Sequence, residues 1–503
     1  MQHSGTLATG LSLGRTGWAS GFADSNEGKL LDVSKLKPFV DPLPILPVVH
    51  GGPLRPDPND ASRRIGYYRV SMEEVSAQLH RDLPETKLWG FNGSFPGPVL
   101  DAQVGKPLLV EWANKLPKRH LLAESAPEAA GCRCVIHLQG GRTPSGSDGY
   151  PDDWVASGKS LTYYYPNNQD AALLTYHDHT RGMSRLNVYA GLQGMYLLRD
   201  ATEVSLNLPK GKHEIPLMLC ERSLTTSGGF RYGATDERSN VILANGKVMP
   251  YVDVESHRYR LRIANGSNAR PFRLTMDGQS MYVIGGDQGL LSAPVKVKEI
   301  LLWPGERTDV VVDFMEATGR NLVLASDSTP ILQFRVKATD SSDESALPPS
   351  LMPVRRLREQ DAARLRRLTL ELPQGAAPGA PGTLQEVAIT ERPVLGSTEV
   401  WEIVNPTNEV HPVHLHMVRF QVLDRRAFDV EHYRQTKELR SNVPPNMVAK
   451  EEAGWKDTVR CEKGQVTRII VPFEPYAGRY VWHSRILEDE DRGLIQPFEI
   501  VAG

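Results

Sequence analysis

The sequence has no charge of either sign to spare: 58 Lys and Arg stand against 60 Asp and Glu, a formal charge of −2. That balance leaves no electrostatic footprint for nucleic acid or an anionic membrane surface. Long apolar runs are missing too. No stretch approaches the roughly 20 apolar residues of a membrane span, and the opening MQHSGTLATGLSLGRTGWAS has neither a basic start nor a continuous apolar core, so it does not read as a signal peptide. Cysteine is scarce: Cys132, Cys134, Cys220 and Cys461 are far too few for a disulfide scaffold, and Cys132-x-Cys134 has no second pair to complete a soft-metal set. The expectation is a cytoplasmic protein with unremarkable thiols and no nucleic-acid or membrane partner.

What is present is length and turn chemistry. At 503 residues the chain exceeds what one hydrophobic core supports. Its 43 Gly and 37 Pro punctuate short runs such as YRLRIANGS and DVVVDF, a pattern of many strands joined by tight turns. The expected fold is all-β. Residues 1–35 read as a flexible leader, with order beginning near VDPLPILPVV. Then come β-rich blocks at 36–201 and 202–338, a polar linker at 339–367, and a third block at 368–503, three related β-sandwiches in style. The linker includes most of VRRLREQDAARLRRL, read as a solvated connection with a short basic helix as the alternative.

Seven of the fourteen histidines lie in four tight motifs: His137 in HLQGG, His177 and His179 in YHDH, His411, His414 and His416 in HPVHLH, and His483 in WHSR. The second block holds one histidine pairing at most, and His80, His213 and His432 stand alone. Residues i and i+2 of a strand share a face, so His177 with His179, and His414 with His416, each aim two imidazoles at one place. Imidazole suits Cu, Zn, Fe and Ni, and spacing does not choose among them. The competing reading is a hydrogen-bonded polar seam.

From about residue 40 onward the chain resembles the multicopper oxidases, in the bacterial group that includes spore-coat laccase, bilirubin oxidase and phenoxazinone synthase. The likeness rests on LHRDLPETKLWGFNGSFPGPVL, GGRTPSGSDGYPDDW, RLNVYAGLQG, HPVHLHMVRFQVLDRRAFD, GWKDT and GRYVWHSRILEDED as well as on the histidines. It implies three cupredoxin-like Greek-key domains, a three-copper cluster between the first and third, and a mononuclear (type 1) copper in the third. By that resemblance His137 and His414 would hold one copper, and His179, His416 and His483 another. The third cluster copper would need His where this chain has Gln139, His177 and Arg485. The type 1 copper would need His, Cys, His and Met where it has His411, Ser484, Asp489 and Leu494. Without the thiolate that admits electrons in blue-copper chemistry, type 1 copper is expected to be absent. Arg485 would put a fixed positive charge where an ion would sit.

Three functions are consistent with these residues. The preferred one is an altered oxidoreductase that transforms a phenolic or aromatic small metabolite at the residual histidine site, with Asp148 and Glu490 matching the family's proton-delivering acids. The second is a non-redox hydrolase, lyase or cyclase, using zinc on three imidazoles or His411, Ser484 and Asp489 as base, nucleophile and orienting acid. The third is a copper-free structural or binding protein of the same fold.

Overall fold

The computed structural model describes residues 29–49, 52–124, 126, 131–233, 239–372 and 383–503. Three pairs of β-sheets follow one another along the chain. In the first pair, a five-stranded sheet runs in the order Val48–Val49, Gly97–Gln103, Gln193–Arg199, Ala172–Asp178, Ile136–Gln139. It shares a core with the sheet built on the long strand Asp60–Ala77, and Trp89, Phe91, Trp112 and Tyr176 sit at its centre. Phe91 meets Tyr176 edge-on, ring centres 5.0 Å apart, and Trp112 Nε1 donates to Tyr165 Oη at 3.1 Å, so the polar tip of a buried indole is satisfied.

The second pair joins a seven-stranded and a five-stranded sheet around Leu261, Val310, Leu274 and Phe334. Its strand Arg307–Asp313 is buried along nearly its whole length, because it lies between Arg258–Asn265 and Met281–Gly286 in mid-sheet; hence the unbroken VVV. The third pair is two four-stranded sheets closed over Trp401, Leu415, Ile469 and Phe498. Among the described residues no helix is long and apolar enough to cross a membrane.

Two sequence expectations change. Residues 1–28 lie outside the described residues, but 29–35 are not a free leader: Leu31 N donates to Leu224 O at 2.8 Å, and Val33–Lys35 forms a 3-10 turn capped by Asp32. The apolar Leu30, Leu31 and Val33 were hidden in a segment judged by its Gly and Ser content. The basic stretch, read as a solvated connection, forms one 3-10 turn at Glu359–Asp361 and then enters a sheet. Arg364–Thr369 is a strand, paired in parallel with Thr398–Asn405 at a sheet edge. Its residues alternate, with Arg366 and Leu368 inward and Arg366 bound to Glu399, while the other arginines guard the edge against further pairing.

Among the described residues three buried histidines, His80, His120 and His257, lie outside the motifs, and the first sandwich's His120 is held at both ring nitrogens. His120 Nδ1 accepts from Leu122 N–H at 3.0 Å and Nε2 donates to Asn187 Oδ1 at 3.0 Å, so no ring nitrogen is left for a second proton. Burial pushes its pKa down to about 4. The native state therefore takes up this proton later than the unfolded chain does. The stabilisation is complete above pH 6.5 and is lost as pH falls toward 4, a total of about 3 kcal/mol. In denaturation midpoints measured across that window, His120→Asn is expected to lower the pH slope by one proton; an unchanged slope would show that His120 titrates normally.

Candidate metal centre

The motif histidines are brought together by strand register. His137 on Ile136–Gln139 lies opposite His177 on Ala172–Asp178, and His179 follows that strand's end. In the third sandwich His414 on His411–Leu415 lies opposite His483 on Gly478–Ser484 and opposite Thr458 on its other side. His416 comes one residue after its strand, fixed by its own N–H to Val481 O at 3.1 Å. Two sets of three donors result, His137 with His414 and His416, and His179 with His416 and His483, each set lying within 4.8 Å. His416 belongs to both, and stacks on His137 with ring centres 3.7 Å apart.

All five rings are held the same way round. His137 Nδ1 donates to Asp148 O at 2.6 Å, His414 Nδ1 to Asp457 O at 2.9 Å, and His416 Nδ1 to Asp148 Oδ2 at 2.7 Å. His483 Nδ1 donates to Ser484 O at 2.9 Å, and the Glu490 carboxylate lies beside both remaining rings, Oε1 3.1 Å from His179 Nδ1 and Oε2 2.9 Å from His483 Nδ1. With each Nδ1 so placed, a neutral imidazole keeps its lone pair on Nε2. Those Nε2 atoms face one another: His137 and His414 are 3.4 Å apart, His416 and His483 3.1 Å. Burial pushes all five pKa values down; for His137 and His416 the neighbouring imidazoles reinforce it. The rings are therefore neutral at pH 7. Asp148 is pushed up to about 8 by burial. Burial also opposes ionisation of Glu490, but His179 and His483 overcome it and hold that carboxyl well below its usual range.

A third corner is occupied differently. His177 Nδ1 faces Asp178 O at 2.8 Å and Nε2 is capped by Gln139 Oε1 at 3.2 Å, so His177 lies outside both converging sets. Gln139 is itself pinned, Nε2 donating to Gly305 O at 2.9 Å and Thr458 Oγ1 at 3.0 Å. Arg485 is buried beside it, with Nε and Nη1 lacking a hydrogen-bond partner. Burial lowers its pKa to about 10, which leaves it a cation at neutral pH. Gly305 makes room for both: at φ +80°, a Cβ there would fall 2.5 Å from Arg485 Nε and 2.8 Å from Gln139 Nε2. Gly305→Ala is accordingly expected to cost about 1–3 kcal/mol in denaturation midpoint; a neutral result would mean that Arg485 can move aside.

His411, Ser484, Asp489 and Leu494 also lie close together in the third sandwich. Ser484 N donates to Leu494 O and Leu494 N to Asp489 O, and His411 Nδ1 is 3.2 Å from Asp489 Oδ2. However, His411 Nε2 is 3.0 Å from Thr407 Oγ1, and Ser484 Oγ accepts from Ile486 N–H at 3.1 Å. No hydrogen bond joins Ser484 to His411 among the described residues, so the link between nucleophile and base is missing. Sequence reading missed Glu409, whose carboxylate groups with His411 and Asp489; its only signal was the i, i+2 spacing in EVH. All four cysteines are free and buried.

Family models described as multicopper oxidase match residues 72–203, 218–342 and 366–502. The laccase of Bacillus subtilis (strain 168) is 39% identical, the match covering 92% of this chain and 99% of that one. The chain belongs to the multicopper oxidase family. A second relative, the laccase of Bacillus stratosphericus, is 41% identical across 93% of this chain and 99% of its own. Among solved multicopper oxidases, the laccase from Pediococcus acidilactici superposes with a TM-score of 0.75 at 26% identity, covering 95% of this chain and 98% of that one. McoA from Aquifex aeolicus gives 0.74 at 27%, covering 92% and 100%. This multicopper oxidase thus carries its inward-facing imidazoles at the junction of its first and third sandwiches.

Proposed function

We propose that this chain is an oxidoreductase acting on a phenolic or related aromatic small molecule at its histidine centre, with two metal positions and no type 1 copper. The observation that carries this reading is the common orientation of the five rings: each Nδ1 faces an oxygen, which leaves the facing Nε2 atoms lone pair to lone pair. A polar seam would instead use up those nitrogens against one another, whereas carboxylate- and carbonyl-oriented imidazoles are what a metal ligand set requires. His179, His416 and His483 fit one copper, and His137 with His414 another. Copper held there would supply one-electron chemistry with dioxygen.

The other two positions do not fit. At the third corner Gln139 caps His177, and the Arg485 cation repels an ion. At the type 1 position Ser484 offers no thiolate and Leu494 no donor. Substrate electrons therefore have no Cys–His route inward, and oxidation takes place at the histidine centre itself. Around it, Glu490 and Asp148 orient the rings. The phenolic substrate class follows from the laccases among the relatives.

The test is dioxygen uptake with 2,6-dimethoxyphenol by protein reconstituted with Cu(II), compared with Zn(II)-loaded and metal-free samples. Uptake in the copper form alone is the expected result. Equal, background-level uptake in all three would overturn the oxidoreductase reading.

A further inference from the structure

The second sandwich carries a cluster that the histidine centre does not use. His213 ends the 3-10 turn Gly211–His213, Glu255 ends the strand Tyr251–Glu255, and His257 precedes the strand Arg258–Asn265. Parallel pairing of Glu214–Arg222 with Arg258–Asn265 sets Glu214 opposite Arg260, which brings the two histidines together despite their separation in sequence. His213 Nε2 is 3.1 Å from His257 Nδ1 and 3.1 Å from Glu255 Oε2; His257 Nδ1 is 3.4 Å from Glu255 Oε2. These three distances close a triangle.

The triangle has the dimensions of a tetrahedral face. A zinc-like ion with bonds of about 2.0–2.1 Å places its ligand atoms about 3.3 Å apart. The outer partners of two of the ligands are already in place. His257 Nε2 donates to Ser341 O at 2.8 Å, which leaves the lone pair on Nδ1, aimed into the triangle. Glu255 Oε1 accepts from Lys212 Nζ at 2.6 Å, which turns Oε2 inward. Hydrogen bonding alone satisfies this arrangement poorly, because His257 Nδ1 and Glu255 Oε2 both present lone pairs and His213 has one proton to share between them. A cation at the centre satisfies all three. The side chain of His257 is 4% exposed, that of His213 21% and that of Glu255 29%, so the fourth position opens to solvent.

We propose that His213, Glu255 and His257 bind one divalent cation of borderline softness, zinc-like in preference, at a site separate from the oxidase centre. The two imidazoles and the carboxylate are the protein ligands, and water completes the tetrahedron. Lys212 holds the carboxylate and Ser341 holds His257 in its ligating tautomer. Because Ser341 lies in the segment between the second and third sandwiches, an ion here also ties that segment to the second sandwich.

The full-length protein, stripped of metal, is titrated with Zn(II), and bound zinc is counted by elemental analysis after desalting. His213→Ala and Glu255→Gln are each expected to hold one equivalent fewer than the parent, or to bind that equivalent at least 10-fold more weakly, with copper-dependent dioxygen uptake unchanged. Substitution by Co(II) supplies a second readout: the parent-minus-variant spectrum should show the intense visible bands of a four-coordinate ion. Glu255→Gln preserves side-chain volume, so it reports even if the histidine variant folds poorly. The same zinc stoichiometry and affinity in all three proteins, with no cobalt difference spectrum, would overturn the proposal.

Discussion

His416→Ala is expected to lower copper-dependent dioxygen uptake by at least about 100-fold, the largest functional effect of any single change in the chain. Loss of an orienting partner alone costs about 10–100-fold in metal affinity or activity, and His416 is a ligand candidate in both donor sets. Its Nε2 lies 3.1 Å from that of His483, its ring stacks on His137, and its Nδ1 carries the contact to Asp148. Removing it opens both positions at once. A ligand that binds only the native state raises stability in proportion to the logarithm of its concentration over Kd. The parent should therefore gain melting temperature on copper addition, and the variant should lose most of that gain. A variant that keeps both the gain and the uptake would show that the ions do not need His416.

Arg307→Met is expected to produce the largest stability effect, about 3–5 kcal/mol, the usual cost of breaking one side of a buried ion pair. This guanidinium is fully buried and binds all three sandwiches: Nε donates to Leu173 O at 3.1 Å, Nη1 to Gly305 O at 3.0 Å and Nη2 to Asp287 O at 2.9 Å. It also forks onto Asp457, Nη1 to Oδ1 at 2.7 Å and Nη2 to Oδ2 at 2.5 Å. Methionine fills much of the volume and leaves the Asp457 carboxylate without its main partner. Since Asp457 O also holds His414 Nδ1, copper retention should fall along with stability. Arg307→Lys keeps the charge without the fork, so its denaturation midpoint should lie between the two. A midpoint for Arg307→Met within 1 kcal/mol of the parent would mean that the three sandwiches are held by other contacts.

The parts of this molecule that were legible in the sequence are those governed by short-range periodicity. The i, i+2 spacing of His414 with His416 signalled imidazoles that converge, whereas the same spacing misled for His177, which Gln139 caps apart from His179. The Gly and Pro punctuation of VILANGKVMPYVDVE and EILLWPGERTDVVVDF signalled β-sheet. What was hidden depends on register between distant strands. His213 read as solitary because its partners Glu255 and His257 reach it only through parallel pairing, and Arg307 gave no sign of gripping Asp457 across two sandwiches. Composition misled where a few residues outweigh the average. Leu30 and Leu31 sit in a Gly- and Ser-rich segment, yet Leu30 bridges to Thr225 and Leu31 docks on Leu224, and the arginines of LRRL suggest a solvated linker although alternate positions of that strand point inward. Asp489 does face His411, but the residue types gave no sign of Thr407 and Ile486, which engage the ring and the Ser484 hydroxyl.

The most direct test of the account is elemental analysis paired with the visible absorption spectrum of the copper-reconstituted protein. The account predicts copper retained at the histidine centre with no intense thiolate-to-copper band, and loss of that copper in His416→Ala. A blue charge-transfer band, or less than a tenth of an equivalent of any transition metal after reconstitution, would contradict it.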